Sequence, residues 1–152
     1  MVFWIPLQDI APEYALEVVR GSHNETLYNG SYFDPSDGTL PVYDEKEMPR
    51  LPDVEANRDA GDIVTCGMRR GDLLIFHPSC LHGGGYTAAG ATRRSLSLRM
   101  LGDDIVHVAR PAPAADSPTA NNIGDDEEEM VGRIKKLPLG TPVSEFGLTQ
   151  LA

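Results

Sequence analysis

The chain has 152 residues, of which 41% are hydrophobic, so one domain with a modest core is expected. It carries 23 acidic against 13 basic side chains, a formal net charge of −10, which argues against nucleic acid or an anionic membrane surface as partner. Cys66 and Cys80 are too few for a disulfide framework, and no apolar run approaches membrane-spanning length. Nothing at the N-terminus resembles a signal peptide, and Gln150-Leu151-Ala152 is not a peroxisomal address, so the cytoplasm is the expected compartment.

Residues 1–9 form the first strand candidate, with Phe3, Ile5 and Leu7 alternating against Trp4 and Gln8. Residues 10–15, with Pro12, read as a connecting turn. Residues 16–20 are the returning strand, closed by Gly21-Ser22. His23-Asn24-Glu25 has a His-x-Glu spacing that fits either a metal pair or an ordinary loop. Asn24-Glu25-Thr26 and Asn29-Gly30-Ser31 match glycosylation sequons, by chance where no secretory signal accompanies them.

Residues 27–60 mix Tyr28, Tyr32, Phe33 and Tyr43 with prolines, glycines and acids. This stretch is too long for a tight hairpin and too apolar for a plain linker; such segments are lids, binding loops or disorder. A strand is expected at 62–66, and Arg69-Arg70 then reads as a solvated charge pair before the Gly71-Asp72 turn.

The stretch from 71 to 100 organises the rest. An apolar strand is expected at 72–77, bounded by Pro78, and His82 follows beside three glycines that leave room for close approach. Arg93 and Arg94 open another strand, expected at 94–100, in which Leu96, Leu98 and Met100 alternate with Ser95, Ser97 and Arg99. Period two is the signature of a half-buried antiparallel strand. On this reading the Gly-rich loop joins two strands and brings His82 near the arginine pair. A neutral imidazole suits a transition metal, and a guanidinium suits a carboxylate gripped by two hydrogen bonds. That combination is what a metal with a dicarboxylate cosubstrate requires.

After Arg110 the composition shifts. Residues 111–122 are rich in Pro, Ala, Thr and Asn, and 125–129 are an unbroken acidic run, so 111–152 reads as a flexible acidic tail behind a domain at 1–110. Within it, residues 130–136 read as a short helical turn.

The order Gly-Asp, apolar strand, Leu81-His82-Gly83, an eleven-residue step to Arg93, then Arg-Arg-Ser-Leu-Ser-Leu-Arg-Met-Leu-Gly-Asp-Asp resembles the phytanoyl-CoA dioxygenase family. Trp4-Ile5-Pro6-Leu7-Gln8-Asp9 and Val18-Val19-Arg20-Gly21-Ser22-His23 are similar to its paired strands ending in Gly-Ser-His. The resemblance implies an all-β double-stranded β-helix of jelly-roll or cupin-like type, present as a half or partial barrel with long loops. It implies Fe(II) and 2-oxoglutarate as cofactor and cosubstrate, and hydroxylation of a small organic or acyl substrate. His82 would be the distal iron ligand, Arg93 the clamp on the far carboxylate of 2-oxoglutarate, and Ser95 a hydroxyl donor beside it. Arg94 is the fallback if the register slips by one. Trp4 would lie next to the cosubstrate; the competing reading is an ordinary core tryptophan.

The same resemblance makes His23 a strand-ending histidine and not a ligand, leaves His77 as a core or supporting histidine, and gives His107 no role. Cys80 reads as a small buried residue. The departure is that no His-x-Asp occurs anywhere, although the family's other two iron ligands come from that motif. The chain is therefore expected to be the C-terminal part of such an oxygenase. A non-catalytic β-barrel binding module, or a degenerate remnant, is the alternative, and a cupin-type isomerase fits less well because its histidines would cluster.

Overall fold

Alternation in the first residues sets the frame. In the computed structural model, which describes residues 1–24, 26–31, 37–87, 90–109, 111 and 132–150, β1 (Val2–Pro6) buries Val2, Trp4 and Pro6 on one face. Phe3 and Ile5 point the other way, as a pleated strand dictates. β1 is the middle strand of a sheet ordered β4-β1-β6, flanked antiparallel by β4 (Leu74–Phe76) and β6 (Ser95–Arg99). A second sheet, ordered β3-β2-β5, sets β2 (Leu16–Val19) between β3 (Ile63–Cys66) and β5 (His82–Gly84).

Apolar rows on the facing sides of the two sheets make the core. Val2, Trp4, Ile10, Ala15, Phe76 and Cys80 are buried, and Leu16, Val18, Met68 and Leu74 pack against them. Between β1 and β2 the chain turns through a 3-10 turn at Pro12–Tyr14, where proline fixes the first backbone angle. Gly71 takes a positive φ of 87° at the turn before β4, a conformation that favours glycine. The five strands expected from the sequence are present, each somewhat shorter than read. The architecture is all-β, and among the described residues no helix is long and apolar enough to cross a membrane.

Three features depart from the sequence reading. Residues 82–84 are a strand and not only a loop, because Val18 and Glu17 of β2 recruit His82 and Gly83 as pairing partners. β4 and β6 are not neighbours; β1 lies between them and pairs with both. The apolar row of β6 is also not its buried one. Ser95 and Ser97 stand opposite the buried Pro6 and Trp4, so the serine and arginine row faces inward, and Leu96 and Leu98 face out, 44% and 39% exposed.

Beyond β6 two distant segments meet each other. Residues 105–107 meet 141–143 through backbone bonds from His107 to Thr141 and from Val143 to Ile105, and Phe146 is buried. A helical turn is present at 132–134. The acidic run at 125–129, and most of the Pro- and Ala-rich stretch before it, lie outside the described residues.

Candidate functional site

His82 opens β5 directly opposite Val18, so its side chain leaves the sheet on the face that packs into the core. Its ring lies 4.9 Å from the ring of Phe76 on the other sheet, yet the residue as a whole is exposed. Nδ1 lies 2.7 Å from the carbonyl oxygen of Cys80. A carbonyl only accepts, so that nitrogen donates, and Nε2 is left with its lone pair outward. This is how a ligand histidine is usually oriented.

The backbone just ahead of His82 is held as firmly. The buried Ser22 hydroxyl donates to Val19 O and accepts the Leu81 N–H, both at 2.8 Å. Val19 N–H in turn donates to Leu81 O at 2.9 Å. After His82 the chain loosens into Gly83, Gly84 and Gly85, and the last two have positive φ.

Arg93 precedes β6 and bridges the two sheets. Its guanidinium donates to the carbonyls of Gly85, just past β5, and of Tyr14, just before β2, the latter at 3.2 Å. Glycine at 85 is required twice over, by its φ of 73° and by the Arg93 guanidinium, which occupies the space a β-carbon would take. Ser95, two positions on, shares the inward row. Trp4 is 8% exposed in the middle of the core and faces the same interior. Arg94 points its backbone N–H at Gln8 Oε1, and its neighbour Thr92 accepts from Gln8 Nε2.

The interior face therefore carries His82 at one end, Trp4 in the middle, and Ser95 with Arg93 at the other. Through Gly85, Arg93 meets the chain three residues past His82. A cleft of about 90 Å³ borders Arg93, with Gln8, Ile10, Tyr14 and Tyr86 in its walls.

A larger cleft, about 420 Å³, opens on the opposite face of the second sheet. Glu17, which alternates with the core-facing Leu16 and Val18, lines it with Glu55, Arg58 and Thr65. Arg58 grips both oxygens of Glu17 at 2.8 and 3.0 Å and also reaches Glu55. The Arg58 hydrogen bonds hold the Glu17 carboxyl below its ordinary range, with help from Thr65 against some desolvation. The same partners raise Arg58. Arg58 thus straps Glu17 of β2 to Glu55 across this cleft.

The remaining histidines stand apart. His23 lies on a 3-10 turn with its ring 5.4 Å from that of His77. His77 is exposed, which corrects the core reading, and its Nδ1 accepts the Ser79 N–H at 3.2 Å. Glu25, the other half of the His-x-Glu, lies outside the described residues. Cys80 is buried as expected, and burial raises the Cys66 thiol above its ordinary value.

Sequence reasoning passed over Asn29, which is 1% exposed. Its amide nitrogen donates to Tyr43 O at 2.7 Å and its oxygen accepts Tyr43 N–H at 2.9 Å. A side chain so enclosed pins the 26–50 connection and is no glycan acceptor in the folded chain.

Two antiparallel sheets sharing an interior that carries a histidine and an arginine define a cupin-like all-β protein. A family model described as phytanoyl-CoA dioxygenase (PhyH) matches residues 1–95, well over half of the chain. The chain belongs to the phytanoyl-CoA dioxygenase family. No curated protein and no solved structure matches it. Members of this family generally depend on Fe(II) and 2-oxoglutarate. The donors here do not by themselves fit iron: among the described residues no group of three or more His, Cys, Asp or Glu could hold a metal ion.

Proposed function

We propose that this chain supplies the 2-oxoglutarate half of an Fe(II)/2-oxoglutarate oxygenase site that hydroxylates a small organic or acyl substrate. The observation that carries the reading is the interior row of His82, Trp4, Ser95 and Arg93. Arg93 clamps the far carboxylate of the cosubstrate and Ser95 adds a hydroxyl hydrogen bond from the same strand face. Trp4 lies alongside, and His82 offers Nε2 as one iron ligand of three. The remaining metal ligands have to come from outside the described residues. The two sheets are read as part of a double-stranded β-helix. With net charge −10 and Cys66 and Cys80 as free thiols, the partner is a small molecule and the compartment the cytoplasm.

Trp4 is the single tryptophan, so its fluorescence reports on the interior. Titration with 2-oxoglutarate is expected to change Trp4 emission saturably, and Arg93→Lys to raise the half-saturation concentration by roughly tenfold to a hundredfold. Lysine keeps the charge but loses the paired donors, and a charge-assisted hydrogen bond contributes about 1.5–3 kcal/mol. Equal half-saturation for both proteins would exclude Arg93 and promote Arg94.

A second reading, a non-catalytic β-barrel binding module that keeps the small-acid pocket, is favoured by the lack of a His-x-Asp in this sequence. Succinate release separates the two. Turnover restored when His-x-Asp ligands are supplied on the family's preceding strands supports the oxygenase, and binding without turnover supports the module.

A further inference from the structure

Beyond Leu7 the chain that formed β1 turns away from β6. Ile10 and Met68 exchange backbone bonds of 2.8 and 3.0 Å, and Asp9 Oδ1 accepts the Arg70 N–H at 2.7 Å. The backbone after Leu7 therefore follows residues 68–70, and the approach to β6 at 92–94 loses its ladder partner. The side chain of Gln8 takes that place. Its Oε1 accepts the Arg94 N–H at 3.3 Å, and its Nε2 donates to Thr92 O at 3.0 Å. We propose that Gln8 is a positioning residue for Arg93, holding the residue between those two contacts in register with β1 so that its guanidinium meets the far carboxylate of the cosubstrate. The inference rests on the reading of Arg93 given above and adds to it a second residue that sets the clamp.

Register explains why Arg93 is the residue so held. β1 and β6 pair with Val2 opposite Arg99, Trp4 opposite Ser97 and Pro6 opposite Ser95. Two residues further on, the same register sets Gln8 opposite Arg93. Met100 N–H donates to Met1 O, and Leu7 N–H donates to Arg94 O, so these pairs are the hydrogen-bonded ones of the ladder. Gln8 and Arg93 then form a non-hydrogen-bonded pair, the kind in which facing side chains stand closest. Both continue the inward row of Trp4, Pro6, Ser95 and Ser97. In such a pair the flanking backbone groups, here Thr92 O and Arg94 N–H, are directed at the partner strand. Those are the two groups that the Gln8 amide takes up.

A primary amide suits the task, because it carries a donor and an acceptor on one planar group. Glutamate would offer Thr92 O no donor, and asparagine falls one methylene short. From the base that Gln8 fixes, Arg93 reaches across to the carbonyls of Gly85 and Tyr14. Gln8 and Arg93 also stand in the wall of the same cleft of about 90 Å³. An arginine whose backbone is already set presents its paired donors without first ordering the segment that carries it, so less freedom is lost when a carboxylate binds. Arg94, opposite Leu7 in this register, lies on the outward row and lends its N–H to the bracket.

The test uses the full chain and 2-oxoglutarate itself, read by Trp4 emission. Gln8→Met keeps the length of the side chain and removes both hydrogen bonds. It should raise the half-saturation concentration roughly fivefold, the equivalent of one ordinary hydrogen bond, and leave the amplitude of the saturated response unchanged. In an Arg93→Lys background the same substitution should raise it by less than about twofold, because the guanidinium that Gln8 aims is gone. A residue that only holds the fold together would cost the same in both backgrounds. In the ligand-free chain, hydrogen exchange at the Arg94 amide should quicken in Gln8→Met, while the Leu96 and Leu98 amides keep their rates. If Gln8→Met does not fold, Gln8→Asn is the second variant, with the same outcomes expected. Equal half-saturation for the parent and the Gln8 variant, or an equal rise in both backgrounds, overturns this proposal and leaves the role of Arg93 standing. A parent with no saturable response overturns the cosubstrate reading and this proposal together.

Discussion

Asn29 replaces three partners that water would otherwise supply inside the 26–50 connection. Besides its reciprocal bonds to Tyr43, its amide reaches the Met48 carbonyl at 3.4 Å. Asn29→Ala would strand a part-buried N–H and two carbonyls, a loss of about 1–3 kcal/mol by the usual desolvation penalty. Denaturant unfolding should show the midpoint fall with an unchanged slope. The sequence offered only a sequon at this position, because a partner fourteen residues away leaves no local signature. His82 and Arg93 drew attention in the sequence for the opposite reason: each sits in a run of glycines, serines and arginines whose order is distinctive. Their orientation was not legible, since it depends on carbonyls of Cys80, Gly85 and Tyr14 that any residue could supply.

Strands with clear alternation were legible as elements, and β5 was not. His-Gly-Gly has little intrinsic preference for extended structure, and it becomes a strand only because β2 offers an edge. Neighbour relations were lost with it, since local pattern does not reveal that β1 separates β4 from β6. At this scale the strap between Glu17 and Arg58 makes a prediction about pH. The Glu17 carboxyl lies below its unfolded value of 4.5 in the folded chain, so its contribution is present above that pH and is lost as pH falls through the lowered folded value. Thermal melts of the parent and of Glu17→Gln should differ at neutral pH and converge as pH drops below 4.5. A difference that persists in acid would assign the effect to packing. Asp37, lowered to about 2 chiefly by Thr39 and then by Arg50, keeps its charge through the same interval.

For the whole molecule, the family was legible from ordered blocks of sequence, while an iron centre would need more ligands than His82 offers. One imidazole does not hold Fe(II) against water and buffer, because affinity depends on several donors in a preset geometry. Residues 1–152 purified without oxygen and dialysed with Fe(II) and 2-oxoglutarate should therefore retain well under one iron per chain by elemental analysis, and release no succinate. Tight one-to-one iron would redirect attention to His23 and Glu25.

The Ser22 hydroxyl, clasped between Val19 O and Leu81 N–H, has a consequence in time. Leu81 precedes the first residue of β5, where a loop amide would ordinarily trade its hydrogen with solvent quickly. Here that amide is bonded to a buried hydroxyl, and its own carbonyl is tied to β2. Its exchange should track the slow opening of the second sheet, while the amides of Gly84 and Gly85 exchange orders of magnitude faster. Ser22→Ala should bring Leu81 to the faster class in a hydrogen–deuterium experiment. The imidazole of His82 then hangs between a slow anchor and a fast tether, so movement at this end of the interior swings about the serine and proceeds from the glycine side.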